Sequence, residues 1–261
     1  MIHDHKAGFL AAILILGNSC SIKEDRSPCP CRLEILTKDC RPMVKELTLS
    51  AWNAGQVFVK AVPLDNETES QLYNVPRGTV VVTAVSGVRL EEMAEGSMIL
   101  PKGSACDSLW TYTAEVDCRG ETAVAEVSLR QQFATVHLSV ERQGNDGDYP
   151  YRLVLNSGVN GLSLPSCLPN EGQWSRPLVA GDDGIYLFRV PRQKDGSLSL
   201  DLYLDGDRVE SYPVGEHIVR AGYDWTKDRL EDIYIGMDWG QTEAHIHIDA
   251  WEDGGVYDAV L

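Results

Sequence analysis

The stretch ATVHLSVE, residues 134–141, alternates apolar and polar side chains without interruption. Successive side chains of a β-strand point to opposite faces, so this period of two predicts a strand with one buried face and one solvated face. The stretch decides the fold because similar short runs recur on both sides of it, about 8 to 12 residues apart, and no long run has the helical period of 3.6.

Outward from residues 134–141, the chain predicts β-sandwiches separated by tight turns. Asp205-Gly206 and Lys194-Asp195-Gly196 supply the positive φ that hairpins need, as do Asn145-Asp146-Gly147 and Asp183-Gly184. Helix is expected only at 90–95, with a turn at 226–230. The other predicted strands are 32–37, 45–51, 56–62, 79–85, 109–116, 122–129, 151–155, 184–190, 198–204, 208–214, 232–237 and 243–251.

This number of strands exceeds the seven to nine of one ordinary sandwich, so two domains are expected. The boundary is placed at residue 130, just before the alternating stretch. The sequence thus divides into a signal segment (1–19), a tether (20–28), an N-terminal β-sandwich (29–130) and a C-terminal β-sandwich (131–261).

The amino terminus resembles a bacterial lipoprotein signal. Eight apolar residues, 9–16, are followed by small residues and Cys20, and the run is too short for a permanent membrane helix. Cys20 is the expected acylation site and mature N-terminus. Gly17 occupies the place where a typical lipobox has Leu, and an ordinary secretory signal with an incidental cysteine is the alternative.

The composition restricts the partners. Asp and Glu total 39 against 23 Lys and Arg, a formal net charge of -16. Such acidity disfavours nucleic acid and anionic lipid surfaces, which repel a negatively charged protein. No second apolar segment is long enough to span a membrane.

Six cysteines besides Cys20 form an even number in an oxidising compartment, and 15 pairings are open. A disulfide between Cys106 and Cys118 would close a hairpin, and a disulfide near the domain entrance is also expected. The alternative there is a metal site at Cys29, Cys31 and Cys40, for which no second ligand pair is available.

No catalytic motif, metal set or cofactor site is predicted, and the chain is not expected to be an enzyme. His245, His247 and Asp249 share one face of a predicted strand, but a half-buried strand with a wet face explains the pattern. Acidic pairs such as Asp205 and Asp207 lie on turns, where Asp is favoured by turn geometry rather than by calcium or glycosidase chemistry. The six tryptophans are expected in cores or interfaces rather than on a sugar-binding face.

One segment resembles a known family. The run GYDWTKDRLEDIYI, residues 222–235, is similar to the Tyr-Asp-Trp, Leu-x-Asp-Ile-Tyr run of the Mfa2-like fimbrial anchor family of Bacteroidetes. Cys29-Pro30-Cys31 before a strand at Leu33, and the strand at 131–141, also resemble that family. Lys23-Glu24-Asp25 is similar to the surface-export signal of Bacteroidetes lipoproteins. The short tail 252–261 departs from the pattern.

The resemblance implies two tandem transthyretin-like β-sandwiches, anchored through lipid on Cys20 in the outer membrane at the base of a surface fimbria. The implied partner is a fimbrial shaft subunit, which would pair with an open sheet edge. The expected strand-exchange edge is 243–251, with Glu243, His245, His247, Asp249 and Trp251. A surface glycan-binding lipoprotein, a hydrolase, and a tip or shaft subunit of the same machinery are the alternatives.

Mass spectrometry of the mature protein tests the lipidation of Cys20. We expect an amino-terminal Cys20 that carries acyl chains, because each buried methylene contributes about 0.8 kcal/mol and two or three chains hold a domain on a membrane. An unmodified amino terminus would contradict the prediction.

Overall fold

A computed structural model describes residues 29–65, 69–87, 96–142, 151–181, 184–239, 244–249 and 256–260. For 141–142, 238–239, 244–249 and 256–260 the description concerns the backbone. Strands dominate these ranges, which confirms the predicted all-β class.

Two sheets enclose a first hydrophobic cluster. The smaller sheet has the order β4-β1-β8 and the larger has the order β3-β2-β5-β7-β9. Alternate residues such as Leu33, Leu49 and Val82 meet between the sheets and are fully buried. The strands are β1 (Cys31–Leu36), β2 (Glu46–Trp52), β3 (Gln56–Pro63), β4 (Ser70–Val75), β5 (Thr79–Ser86), β7 (Trp110–Asp117), β8 (Thr122–Glu126) and β9 (Arg130–Gln131).

Two further sheets enclose a second cluster. One has the order β13-β10-β16-β17-β18, and the other has the order β12-β11-β14-β15, with β6 also paired to β11. Val136 and Leu138 of the alternating stretch are buried here. The elements are β6 (Ser97–Ile99), β10 (Phe133–Arg142), β11 (Arg152–Ser163), β12 (Leu168–Pro177), β13 (Tyr186–Pro191), β14 (Ser199–Leu204), β15 (Asp207–Tyr212), helix α1 (Val214–Arg220), β16 (Ile233–Trp239), β17 (Ala244–Asp249) and β18 (Val256–Val260).

The region before residue 130 contributes to both clusters. Strand β6 pairs antiparallel with β11, and Cys106 packs in the second cluster. Trp110 contacts both clusters and meets the Phe133 ring edge-on at 5.8 Å. The division into two domains at residue 130 stays a prediction. β6 crosses this boundary by pairing with β11, and β9 spans it and pairs with β7.

All thirteen predicted strands overlap observed strands, and the differences have physical causes. The predicted strand 208–214 ends at Tyr212, because Pro213 follows and helix α1 begins at Val214. The strands β4, β6, β9, β12 and β18 were not predicted. Asp205 and Gly206 have φ of 52° and 100° in the β14–β15 turn, as expected. The predicted helix 90–95 lies outside the described residues.

A buried arginine joins the segments that flank the alternating stretch. Arg192 is 3% exposed, and its Nε donates a hydrogen bond of 3.1 Å to the carbonyl of Gln131. Its guanidinium also donates to the carbonyls of Trp225 and Lys227. Burial lowers the pKa of Arg192 to about 10, so the group stays charged at neutral pH.

The segment 222–235 is therefore structural. Tyr223 and Trp225 are buried and their rings meet edge-on at 4.6 Å. The Tyr223 hydroxyl donates to the carbonyl of Glu231 at 2.8 Å, and the Gln131 amide donates to the carbonyl of Leu230 at 3.3 Å. These bonds fix the turn that delivers the chain into β16.

Replacing Arg192 with Met tests this arrangement. Arg192→Met keeps much of the volume but leaves buried carbonyls without donors, so we expect the free energy of unfolding in urea to fall by about 3 kcal/mol. Arg220→Met is the matched control, because Arg220 is exposed and its ion pair with Glu216 is worth little. Equal losses in the two variants would contradict the assigned role.

Candidate functional site

The candidate site is the β16–β17–β18 end of the sheet β13-β10-β16-β17-β18, which covers the second cluster. β10 pairs in parallel with β16, and Leu138 lies opposite Ile235. β16 pairs antiparallel with β17, and β17 pairs antiparallel with β18. In the register, His247 lies opposite Gly236 on one side and opposite Asp258 on the other side. Among the described residues, β18 is therefore one terminal strand of this sheet, and β13 is the other.

The predicted strand-exchange edge is corrected by this order. His245, His247 and Asp249 lie in β17, whose backbone is paired on both sides, while Glu243 and Trp251 lie outside the described residues. The physical reason is that the chain returns at 256–260 and covers the free side of β17. β17 could offer an edge only after β18 had left it.

Sequence reasoning misses β18 because 252–261 has the pattern of a short tail. The signal was present in VYDAV, residues 256–260, where valines and a tyrosine, residues of high β-propensity, form most of a five-residue run. A run of five residues is too short to be recognised as a strand from the sequence alone. Its partner strand, β17, is known only from the structure.

The terminal strands differ in how they resist pairing with another chain. β15 exposes Asp207, Arg208 and Glu210, and β12 contains two prolines and irregular pairing with β11. Charge, proline and bulges are the features by which natural edges block strand addition. β18 contains one charged residue, Asp258, and no proline.

Of the remaining terminal strands, β3 and β13 end in proline, and β9 is only two residues long. β4 and β8 lack proline, but both lie beside the opposite sheet. The Tyr73 ring of β4 stacks on the Phe58 ring of β3, with centroids 4.1 Å apart. β8 lies against β7 of the facing sheet. β18 is therefore the best candidate for an edge that accepts or donates a strand.

A partly exposed row of side chains crosses the outer face of the same sheet. Leu187, His137 and Tyr234 lie side by side in the register of β13, β10 and β16. Leu187 is 61% exposed and Tyr234 is 44% exposed. The His137 ring stacks on the Tyr234 ring at 4.6 Å, and its Nε2 lies 3.3 Å from a carboxylate oxygen of Asp232. This row gives a partner an apolar and aromatic surface on the β13, β10 and β16 part of the sheet, away from β18.

Helix α1 supports β17 from the core side. The helix contacts β17 and β14, and its residues Val214, His217 and Ile218 are buried. Burial lowers the pKa of His217, the positive charge of Arg220 adds to the effect, and Glu216 opposes it.

The prediction of a disulfide between Cys106 and Cys118 is also corrected. β7 runs as one extended strand between these cysteines and pairs with β5 along its whole length. Eight residues of strand span roughly 25 Å, whereas a disulfide needs Cα atoms within about 7 Å. Cys106 lies in the second cluster and Cys118 in the first.

One apolar cavity of about 340 Å³ lies beside β6, bounded by Met98, Leu109 and Leu162 among others. Its lining includes a single carboxylate, Asp107, whereas a glycoside hydrolase uses a pair. Within the described residues, no three His, Cys, Asp or Glu side chains converge as metal ligands do. The carboxyl pKa values that shift, those of Asp195 and Asp224, are lowered by hydrogen bonds from Ser197 and Thr226.

Of the six tryptophans, the structure describes the side chains of four. Trp174 and Trp225 are buried, and Trp52 and Trp110 are half-buried. This arrangement does not provide the exposed row that a glycan-binding surface would need. Cys20 lies outside the described residues, as do Asp146, Asp182 and Asp183. In the parts of the chain that the structure describes, no helix has the length and apolarity to cross a membrane.

Comparisons with protein-family models and with curated proteins give no match to this chain. Solved structures do match. A proposed adhesin of Bacteroides ovatus has a TM-score of 0.62 and 13% identity, covering 94% of this chain and 99% of that chain. A protein of Bacteroides thetaiotaomicron, proposed to bind polysaccharide, has a TM-score of 0.61 and 14% identity over 88% of this chain and 98% of its own.

The fimbrial anchor protein Mfa2 of Porphyromonas gingivalis also matches, with a TM-score of 0.60 and 14% identity. The match covers 88% of this chain and 100% of that chain. The resemblance predicted from residues 222–235 thus has a structural counterpart: the chain shares its fold with that anchor protein and with these Bacteroides proteins. Identities this low establish the fold alone.

Acidification tests the packing of α1 against β17. The folded state binds a proton at His217 less tightly than the unfolded state, so stability is present above pH of about 6.5 and is lost as the pH falls below that value. We expect His217→Gln to reduce the difference in unfolding free energy between about pH 7.5 and about pH 5 in urea titrations. Val219→Gln on the exposed side of α1 is the control, and an unchanged difference in both variants would refute the assignment.

Proposed function

We propose that this chain is the lipid-anchored base subunit of a surface fimbria, held in the outer membrane through Cys20. In this role it attaches the fimbria and regulates its assembly by pairing strands with a shaft subunit. The proposal is carried by one observation: a fold shared with a fimbrial anchor protein ends in β18, a terminal strand with little protection against pairing.

Strand pairing would act through the backbone of β18. A terminal strand has a row of N–H and C=O groups that point away from its sheet, and an added strand satisfies them with ladder hydrogen bonds. Alternate side chains of the added strand then pack beside those of β18 on the two faces of the sheet. The hydrogen bonds supply affinity and these contacts supply register.

The tether would act independently of the edge. Acyl chains on Cys20 hold the chain on the membrane, and a short polar segment leads from there to β1. The net charge of -16 keeps the body of the protein away from anionic headgroups. Anchoring and shaft attachment thus use opposite ends of the chain and can be removed separately.

The alternatives gain less support from the described residues. A glycan-binding surface would need aromatic side chains aligned on an exposed face, and the four described tryptophans are buried or half-buried. A hydrolase would need two convergent carboxylates in a cleft. A tip or shaft subunit would use the same edge, but the acylation expected at Cys20 favours the base.

Two variants separate the two halves of the proposal in cells that assemble the fimbriae. Cys20→Ala removes the lipid, so we expect fimbriae in the medium that still carry this chain. Val260→Lys places a charge on β18 at the register position of His245 and Asp238, so we expect the chain to stay in the membrane fraction while attached fimbriae fall by about tenfold or more, which corresponds to about 1.4 kcal/mol of lost pairing.

Val209→Lys on β15 is the matched control for Val260→Lys, because Val209 is an exposed valine on a terminal strand that already carries charge. It should leave attachment unchanged. If fimbriae stay attached in Val260→Lys, the edge is not β18. If Cys20→Ala stays in the membrane fraction with normal fimbriae, the anchoring proposal fails.

A further inference from the structure

Two buried cysteines meet where the chain enters the first cluster. Cys31 is the first residue of β1, and Cys118 directly follows β7 of the facing sheet. Both are fully buried in the first cluster, and their thiols are joined by a side-chain hydrogen bond. The contact therefore links two strands that belong to different sheets.

The backbone holds these two cysteines together independently of their thiols. The Arg77 guanidinium donates one hydrogen bond of 2.7 Å to the carbonyl of Cys29 and another of 2.7 Å to the carbonyl of Arg119. The Cys118 amide donates to the carbonyl of Gly78 at 2.8 Å, and Cys31 lies opposite Val75 in β4. The turn between β4 and β5 thus fixes both segments, so the two side chains have little freedom to separate.

The other described cysteines have different surroundings. The Cys40 thiol donates to the carbonyl of Val127, and the Cys167 thiol is hydrogen-bonded to Thr111. Cys106 lies in the second cluster, and Cys29 is exposed at the surface. The contact between Cys31 and Cys118 therefore favours one disulfide, which is compatible with three of the fifteen complete pairings that the sequence leaves open.

We propose that Cys31 and Cys118 form a disulfide in the exported protein, which clamps the first residue of β1 to the end of β7. The oxidant is a protein disulfide of the thiol–disulfide oxidoreductase class. The two thiols lose their S–H bonds, one Sγ–Sγ bond forms between them, and the oxidant's disulfide is reduced to two thiols that receive the protons and electrons.

This oxidation would take place during folding, before the native structure is complete. The thiolate is the reacting form, and burial, with contributions from Cys31 and Asp117, raises the pKa of Cys118 to about 11. The folded protein therefore presents very little thiolate and no open path to it. The disulfide would form before the two sheets close, and it would then resist reduction.

The location of the disulfide gives it a mechanical role, and this step rests on the proposed function. β1 is the central strand of β4-β1-β8, and it is the first strand that the described chain forms after the tether. A load applied through Cys20 would pull on the first residue of β1 and separate this strand from its neighbours. The disulfide instead passes the load to β7, which pairs with β5 along its whole length.

Peptide mapping tests the pairing directly. The full chain is purified from the cell envelope without reductant, its free thiols are blocked with N-ethylmaleimide, and its peptides are examined by mass spectrometry. We expect one peptide pair that joins Cys31 to Cys118 and that separates on reduction. Alkylated Cys31 and Cys118, or linkage of either to another cysteine, would overturn the inference.

Thermal unfolding with and without a phosphine reductant measures the effect. Because the disulfide closes a long loop, reductant should lower the unfolding midpoint of the natural chain by roughly 10 °C. The double variant Cys31→Ala with Cys118→Ala should show no such shift, whereas Cys40→Ala, a buried cysteine of the same cluster, should keep it. A natural chain whose midpoint does not change on complete reduction would show that the disulfide does not clamp the fold.

The same mapping on Cys20→Ala protein, collected from the membrane fraction and from the medium, separates this inference from the proposed function. A linked peptide pair in protein that still fastens fimbriae to cells without its lipid would contradict the base role and leave the disulfide standing. Free thiols in a chain whose Cys20→Ala variant sheds fimbriae would overturn the disulfide and leave the base role standing.

Discussion

The parallel pairing of β10 with β16 is the interaction on which the candidate site depends. The alternating stretch provides an apolar face for the second cluster, and β16 continues that face with Ile233, Ile235 and Met237. Parallel neighbours need a long connection, and here the connection includes the Arg192 hydrogen bonds and the turn at 222–232. Once β16 is held against β10, the antiparallel hairpin β17–β18 can only extend the sheet outward, which makes β18 its edge.

The two clusters contribute to different parts of the proposed function. The first cluster receives the chain from the predicted tether, and its central strand β1 is held between β4 and β8. The second cluster carries the β18 edge. Trp110 contacts both clusters, and Arg229 lies over its ring at 4.6 Å. A force applied between tether and edge would have to pass through this region, where β6 also joins the second cluster's sheet.

The residues that form recognisable motifs in the sequence have mainly structural roles in this arrangement of strands. Tyr223 and Trp225 are core residues that shape the entry to β16, and His245, His247 and Asp249 belong to an interior strand. The residue that organises the turn, Arg192, belongs to no motif. An arginine between a proline and a glutamine gives no sign in the sequence that three carbonyls from distant segments will meet around it.

The sequence by itself determined the all-β class, the thirteen strands with the strongest local patterns and the turn at Asp205-Gly206, because period-two burial and turn chemistry are local properties. It also carried the acylation prediction at Cys20, which depends on neighbouring residues alone. Tertiary structure decided which strand is the edge, that Cys106 and Cys118 lie far apart, and that Cys31 and Cys118 meet. Those outcomes depend on pairing between residues that are distant in the chain. Short strands such as β4 and β18 are recognisable as strands only from the partner with which they pair.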